Sequence, residues 1–447
     1  MWCKTIDTPA SKVYNIGYRL KHQAETRKDH ARCLSFFIDT TMIILSNGFF
    51  TNMPNSEAVS QGGPANFAKL FSRHIVDTTD HRWIGIIFRA SESKASRLRR
   101  ILSFGRKDYF KLYFPKRTFK KITKAKKVED SSIILSGVIG RVVSFIKKEK
   151  PDIVFLNGFG LFNWVLLKAA EKTNTPVVIQ HAGIWTKELR LHKYLYSRAG
   201  LKMMEKMEKD STRLSSAEVF LNTWSRDYYR RNVAQNSGNE SVVIPLPFDF
   251  ETFGKLSKTH KKSLITMPGA FKIGTIARWD NIKNHKAILA LARAAGRLHL
   301  PWQFYAVTKI PEKHCLKNSY KKNIETIPAL DRTGISDFCN SMDLLVLPSI
   351  FDVSPTVALE AVATGTPIAI SNNVGYVNDF KRYGARKWVI DFRNTAKVLT
   401  SIKKIAQKPL PNSLREQIVA KHDHEKVFSA YLDLFYETVA KTKIKKR

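Results

Sequence analysis

The sequence predicts an α/β protein built from two parallel-sheet domains, and three observations carry that expectation. From Ser131 onward, helical and strand-like segments alternate at short, regular intervals, the pattern of βα units joined by right-handed crossovers. Several strand candidates, Leu344-Leu345-Val346-Leu347 among them, are apolar at every position, as strands covered by helices on both faces must be. A chain of 447 residues with 43% hydrophobic side chains is long enough for two such sheets, each with its own core.

The elements follow in order. Residues 1–38 are polar, mixed in charge and weakly periodic, and read as a loosely attached extension. A first domain then spans 39–250. It opens with a strand over 42–46, a loop rich in Asn, Ser and Gly, and a helix over 64–74. Gly62-Gly63, just ahead of that helix, is a plain turn on its own terms. Its place between the first strand and the first helix favours a loop whose backbone approaches a ligand with no Cβ intervening. A second strand covers 83–88.

Residues 97–127 come next, with 13 Lys or Arg against one acid, Asp108. Phe104, Tyr109, Phe110, Tyr113, Phe114 and Phe119 are interleaved with them, too many aromatics for a merely solvated face. That composition fits peripheral contact with an anionic membrane surface. It also suits the stacking of bases and the holding of phosphates in RNA.

Regular alternation follows, with helices over 131–148, 161–172, 201–209 and 225–232 and strands over 153–156, 177–180 and 218–221. His181 stands at the carboxyl tip of one of these strands, where site residues of parallel sheets gather.

A second domain over 251–422 opens with a strand at 272–277, then Arg278-Trp279-Asp280-Asn281-Ile282-Lys283-Asn284 and a helix over 285–297. Further strands cover 302–307 and 323–327, and a helix over 334–341 leads to the apolar run 344–347. After it, Ser354-Pro355 opens a short helix: Ser accepts from the first free N–H groups, and Pro gives up no bond the helix would have made. Gly365 ends this helix, and 368–370 is the next strand. A helix start at the end of a parallel strand aims free N–H groups and a positive dipole end into the crevice above the sheet, where anionic ligands bind. A helix over 395–406, a joint at Pro409 and Pro411, and a final unit over 423–447 complete the chain. Its helix, 424–441, carries Phe428, Tyr431, Phe435 and Tyr436 in one stripe.

Composition excludes several classes. Four scattered cysteines form no CxxC pair, against a disulfide framework or a zinc site and in keeping with a reducing cytoplasm. No apolar run reaches the ~18 residues of a spanning helix, and 34–50, which comes nearest, has neither the position nor the flanks of a signal peptide. There is no GxxxxGK[ST] phosphate loop and no GxSxG elbow. His422-Asp423-His424-Glu425 is a run of neighbours that cannot all face one ion, and reads as surface. Lys+Arg 75 against Asp+Glu 38 should draw the chain to phosphate-rich surfaces.

The spacing Asp352, seven residues, Glu360, then Ala361-x-Ala363-x-Gly365-x-Pro367 and a strand resembles the donor site of the retaining GT-B glycosyltransferases of family 4. The resemblance extends over most of residues 40–440. It implies two Rossmann-like domains facing each other across a cleft, a hinge near 246–270, and a last helix crossing back onto the first domain. The second domain would bind a nucleotide-sugar and the first an acceptor. Arg278 and Lys283 match the family's diphosphate-binding pair, and the backbone N–H groups of Val353 and Ser354, with Thr356, would complete that cradle. Glu360 would hold the ribose hydroxyls. Asp352 stands close to the sugar where the family usually has Glu, one methylene longer. His181 matches a histidine beside the donor sugar, and Gly62-Gly63 the glycine loop of the first domain.

The implied reaction retains anomeric configuration, with a diphosphate oxygen taking the acceptor's proton, so that no protein base is required. There is no D-x-D motif, so neither a metal ion nor another cofactor is expected. The implied acceptor is a glycan or lipid-linked precursor of a cell-surface polysaccharide, met by a cytoplasmic enzyme lying on the inner face of the membrane through 97–127. Two rivals stand beside this reading: an RNA-binding protein on a Rossmann-like scaffold, and a family member that binds sugar-nucleotide without turnover.

Overall fold

The computed structural model describes residues 41–48, 63–91, 97–235, 240–251, 253–254, 269–308, 324–406 and 408–446. The expected extension 1–38, Gly62 and most of the expected hinge lie outside them. Among the described residues the strands of the first domain are β1 (Ile43–Asn47), β2 (Arg82–Ser91), β3 (Arg97–Phe104), β4 (Lys107–Pro115), β5 (Ile153–Asn157), β6 (Val177–His181), β7 (Ala217–Phe220) and β8 (Glu240–Val243). They form one sheet in the order β3-β4-β2-β1-β5-β6-β7-β8, parallel apart from the antiparallel β3–β4 pair. The second domain contributes β9 (Phe271–Ile276), β10 (Trp302–Val307), β11 (Glu325–Ile327), β12 (Leu344–Leu347), β13 (Ile368–Ser371) and β14 (Val389–Ile390). Their order is β11-β10-β9-β12-β13-β14, parallel throughout.

β5, β6, β12 and β13 are buried at every position, which is why they read as apolar runs, interrupted only at their carboxyl ends by Asn157, Gln180-His181 and Ser371. Each sheet reverses its strand order once: at β1, flanked by β2 and β5, and at β9, flanked by β10 and β12. Crossovers leave such a point towards opposite faces and open a crevice at the carboxyl ends of the two strands. These crevices face each other, giving the GT-B arrangement.

The basic segment 97–127 is not a free insertion. β3 and β4 form a hairpin around Gly105 (φ 55°), and β4 pairs along its whole length with β2. Tyr109, Phe110 and Phe114 are buried, with Phe110 4.6 Å from Phe145 and Phe114 4.9 Å from Phe162. Asp108, the segment's one acid, takes Arg82 at 2.6 Å, and this guanidinium holds its carboxyl below the usual range against burial. Half of the six aromatics are therefore accounted for by the core, and Phe104 is the one fully exposed. The cations remain outside. β3 runs antiparallel, so Arg97 lies opposite Tyr113 at the carboxyl end of β4, followed by the helix Lys116–Thr123 with exposed Lys116, Arg117, Lys120 and Lys121.

The last helix, His424–Lys446, lies on the first domain. Tyr431 is wholly buried with its ring 5.1 Å from Phe67, 5.3 Å from Phe71 and 5.7 Å from Phe155, and it accepts a 2.6 Å bond from Gln180 Nε2. Tyr436 OH meets His81 Nε2 at 2.7 Å.

His422, expected at the surface, is instead 1% exposed at the joint between the domains. Its Nδ1 lies 2.6 Å from the Leu246 carbonyl, which fixes the proton on Nδ1 and leaves Nε2 bare and without a partner. Burial lowers its pKa to about 4. A histidine depressed in the folded state contributes full stability above its unfolded value near 6.5 and loses it as pH falls towards 4. Urea unfolding at pH 7 and pH 5 checks this: the wild type should lose about 2 kcal/mol more than His422→Asn over that interval, and equal losses would refute it.

Candidate functional site

The two crevices join in one cleft of about 790 Å³. On the second-domain side, β9 ends in the loop that presents Arg278 and Lys283. Several bonds shape this loop: His285 Nε2 lies 2.8 Å from the Arg278 carbonyl, Asp280 Oδ1 accepts from Ile282 N at 2.7 Å, and Asn284 Nδ2 donates to the Pro348 carbonyl at 3.1 Å. Arg278 stays exposed in the cleft, whereas Lys283 is committed to Asp352, 2.5 Å from Nζ to Oδ2. The two expected site residues therefore neutralise each other.

β12 ends in the loop that carries Asp352, Val353 and Ser354. Asp352 N donates to the Asn373 carbonyl at 3.0 Å, and Gly375 N donates to the Asp352 carbonyl at 2.9 Å, so the loop is tied to the turn after β13. The helix Thr356–Thr364 starts one residue later than expected: Pro355 stands at its N-cap, Ser354 Oγ lies 2.9 Å from Tyr376 OH instead of capping the helix, and no side chain caps that end. Its leading N–H groups and Thr356 open into the cleft. Glu360, one turn on, lines the same cleft, where burial raises its carboxyl to about 7 while Thr356 and Arg332 oppose the shift. Gly63 begins the helix Gly63–Thr78 directly opposite: a Cβ there would lie 3.8 Å from Thr356 Cγ2. Two helix N-termini thus converge across the gap.

One expected site residue lies off the cleft, and another turns its side chain away. The Val353 side chain is 3% exposed and faces the first domain's core, while the expectation for Val353 concerned its backbone N–H; its carbonyl accepts a 2.7 Å bond from Asn222 Nδ2. Asn222 also caps the helix Thr223–Asn232 through Oδ1, and Gly375 is required beside it because a Cβ would strike both Asn222 and the Val353 carbonyl. His181 is fully buried behind the cleft wall, with Nε2 2.8 Å from Glu218 Oε1 and the ring stacked on Phe220 at 4.6 Å. It is the last residue of β6, so its side chain still leaves through a sheet face. Ala182 and Gly183, after the strand, are what reach the cleft.

Residues with no sequence signal complete the first-domain wall. At the β1–β5 switch point, Asn157 N donates to Asn47 Oδ1 at 2.8 Å, Asn47 Nδ2 donates to the Asn157 carbonyl at 3.1 Å, and Asn157 Nδ2 donates to the Pro64 carbonyl at 2.7 Å. Beyond Gly183, the helix Trp185–Leu191 carries Glu188 into the cleft. Seven residues are too few for a helical period to show, although the run after a strand end was a place to look. Among the described residues no group of three or more His, Cys, Asp or Glu is placed to hold a metal ion, and no helix is long and apolar enough to cross a membrane.

Comparison with known proteins agrees with this geometry. Residues 258–422 match the family model of glycosyl transferases group 1. EpsF of Bacillus subtilis (strain 168), whose description as a glycosyltransferase is itself provisional, is 24% identical over 140 residues. That stretch is 30% of this chain and 36% of EpsF, so the likeness spans about a third of the relative's length. Among solved structures, a sucrose-phosphate synthase of Thermosynechococcus elongatus superposes with a TM-score of 0.65 at 12% identity, covering 90% of this chain and 100% of that one. An α,α-trehalose 6-phosphate synthase of Burkholderia multivorans gives 0.64 at 12% identity over 91% and 98%. A trehalose-6-phosphate protein of E. coli, solved with UDP-2-fluoro glucose bound, gives 0.61 at 11% identity over 88% and 98%. At these identities the neighbours share the fold.

Proposed function

We propose that this chain is a retaining glycosyltransferase of family 4 that moves a sugar from a nucleotide diphosphate to an acceptor hydroxyl without a metal ion. The observation that carries the reading is the convergence of Arg278, Lys283, Glu360 and an uncapped helix N-terminus on one cleft at the β9–β12 switch point. A diphosphate gains negative charge as it leaves and needs fixed positive groups there. In this reading Arg278 and the N–H groups at Thr356 take the diphosphate, and Lys283 divides its charge between it and Asp352. Glu360 as carboxylate accepts from both ribose hydroxyls. Gly63 leaves room for the diphosphate between the two helix ends. Support comes from the family match over 258–422 and from a neighbour of the same fold that holds a UDP-sugar.

The acceptor in this reading is a lipid-linked glycan or polysaccharide precursor, met at an anionic membrane. Its support is the exposed cations of 97–127 near the carboxyl end of β4, on the cleft side of the sheet. The buried aromatics of that segment count equally against an RNA platform, which needs its rings exposed for stacking.

Thermal-shift measurements with UDP-, GDP-, ADP- and CDP-sugars test the donor. One class should raise Tm by roughly 3 °C at a hundredfold excess over Kd. No shift with any of them would end the proposal. Sedimentation with phosphatidylglycerol vesicles, with and without Lys116, Arg117, Lys120 and Lys121 changed to Gln, tests the membrane part on its own.

A further inference from the structure

The first-domain wall of the cleft, where the acceptor is expected, is poor in positive charge and rich in rings. The chain carries 75 Lys and Arg among 447 residues. Yet among the described residues the cations that line the cleft, Arg278 and Lys283, both come from the second domain. Residues 49–62, which join Gly48 to the helix at Gly63, contain no Lys, Arg or His. Among the described residues the first-domain wall has a single ionisable side chain, the acid Glu188. In place of cations stand Phe88, Phe159, Phe162 and Trp185. We infer that the reacting end of the acceptor is an uncharged sugar, stacked on Trp185 and Phe159, and not a sugar phosphate. The inference rests on the glycosyltransferase reading and narrows its acceptor.

The rings are held ready for such a partner. Phe159 and Trp185 lie 5.5 Å apart with their planes at 76°, forming a corner. Phe159 sits in the turn after β5, between Gly158 at φ 84° and Gly160, which opens the helix Leu161–Thr173. Trp185 begins the helix Trp185–Leu191, and its backbone N–H donates to wholly buried Glu208 at 2.8 Å. Further along the wall, Phe88 and Phe162 stack at 5.1 Å with planes 16° apart. All four rings are half-buried, so part of each is open to the cleft. A sugar ring has an apolar C–H face that can cover an aromatic ring, while its hydroxyls project from the rim to polar groups. Glu188 stands one helical turn after Trp185. Burial, with Asp352 and Glu208 adding and Lys283 and Arg278 opposing, raises its carboxyl to about 7. Near neutral pH it can therefore donate to one sugar hydroxyl as the acid or accept from two as the carboxylate.

A phosphate fits this wall badly. As a monoester it carries a charge of about −1.5 to −2 near neutral pH. The start of the helix Leu161–Thr173 offers roughly half a positive charge against it, and ionised Glu188 more than cancels that. Arg278 and Lys283 do not make up the deficit, because the donor's diphosphate takes them in the reading above. A phosphorylated acceptor would thus bring an unpaired charge into a half-buried site.

The test uses the whole chain with UDP-glucose and GDP-mannose, and with any other nucleotide-sugar that shifts Tm in the screen above. Nucleotide release over the water background is measured with matched acceptors: glucose, mannose, galactose and N-acetylglucosamine, each beside its 6-phosphate, and the neutral disaccharides maltose, cellobiose and lactose. At least one neutral sugar should stimulate release, and its kcat/KM should exceed that of the matching phosphate by about 10-fold or more. A phosphate that outperforms its neutral partner would overturn the inference, and so would stimulation by none of the neutral sugars; in either case the donor-induced Tm shift leaves the donor reading standing. Trp185→Leu should raise KM for the neutral acceptor roughly 3- to 10-fold, more than it lowers kcat, with the donor-induced shift retained. Phe159→Leu repeats the measurement should Trp185→Leu lose its fold, as the Tm of the unliganded variant reports. An unchanged acceptor KM in the folded variants would also overturn the inference. If no nucleotide-sugar shifts the wild type, the glycosyltransferase reading itself has failed and the inference falls with it.

Discussion

Replacement of Glu360 by Gln is expected to weaken nucleotide-sugar binding by roughly 30- to 150-fold, the loss of about 2 to 3 kcal/mol for hydrogen bonds to a charged acceptor. The same change should stabilise the empty protein. Burial raises the Glu360 carboxyl to about 7. The folded state thus binds its proton more tightly than the unfolded state near 4.5, and stability falls as pH rises from 4.5 through 7. At pH 8 the native protein carries a buried charge that Gln does not, so the variant should unfold about 1 to 2 kcal/mol later. Affinity should also follow pH in the wild type, rising as the carboxylate forms through pH 7 and levelling above it, and this dependence should vanish in Gln. Calorimetric titration with the best donor nucleotide, together with denaturant unfolding at pH 6 and 8, reads both effects. A variant that binds as well as wild type would remove Glu360 from the donor site.

Tyr431→Ala should cost about 3 to 5 kcal/mol of stability, the range for deleting a large buried ring. Tyr431 touches Phe67, Phe71 and Phe155, so its loss opens a cavity under the last helix. Tyr431→Phe keeps the ring and removes the acceptor for Gln180, whose Oε1 already has no partner. It should cost about 1 to 2 kcal/mol. Equilibrium unfolding that ranks the two in the reverse order would mean that the hydroxyl, and not the ring, secures this helix. A loss below about 1 kcal/mol for Ala would mean that the last helix is not integral to the first domain.

Much of this architecture is legible in the sequence because strands covered on both faces advertise themselves as apolar runs. β12 and β13 and the helix between them are visible for that reason, and the spacing from Asp352 to Glu360 depends on chain distance alone. The β3–β4 hairpin is hidden by its own charges: Arg97 and Arg99 of β3 lie on the same face as half-exposed Lys111 of β4, Arg100 lies on the other face over Phe110, and the alternation beneath them reads as a basic tract. His181 shows a different limit. A strand tip is easy to locate, but one residue decides whether a side chain leaves through the sheet face or enters the crevice. The Val353 side chain shows the same limit, since only its packing against the first domain reveals that it is turned away from the cleft. Glu188 and the Asn47–Asn157 pair owe their positions to the meeting of distant segments, which no local pattern records.

The donor loop is also the place where the two halves of the molecule grip each other. Phe351 sits between Trp224 and Tyr228, at 5.3 and 5.1 Å, under the Lys187 ammonium, and Val353 is buried beside it. Pulling the halves apart exposes both side chains, at about 1.5 to 3 kcal/mol each, and releases the bond from Asn222. Asp352 lies between them in the chain. A gaping molecule therefore has a slack donor loop, and a molecule with a firm donor loop is shut. By reciprocity, whatever tightens that loop also tightens the grip. Under the proposed function, a sugar-nucleotide that firms this loop would therefore also tighten the grip, and its departure as free nucleotide would loosen it.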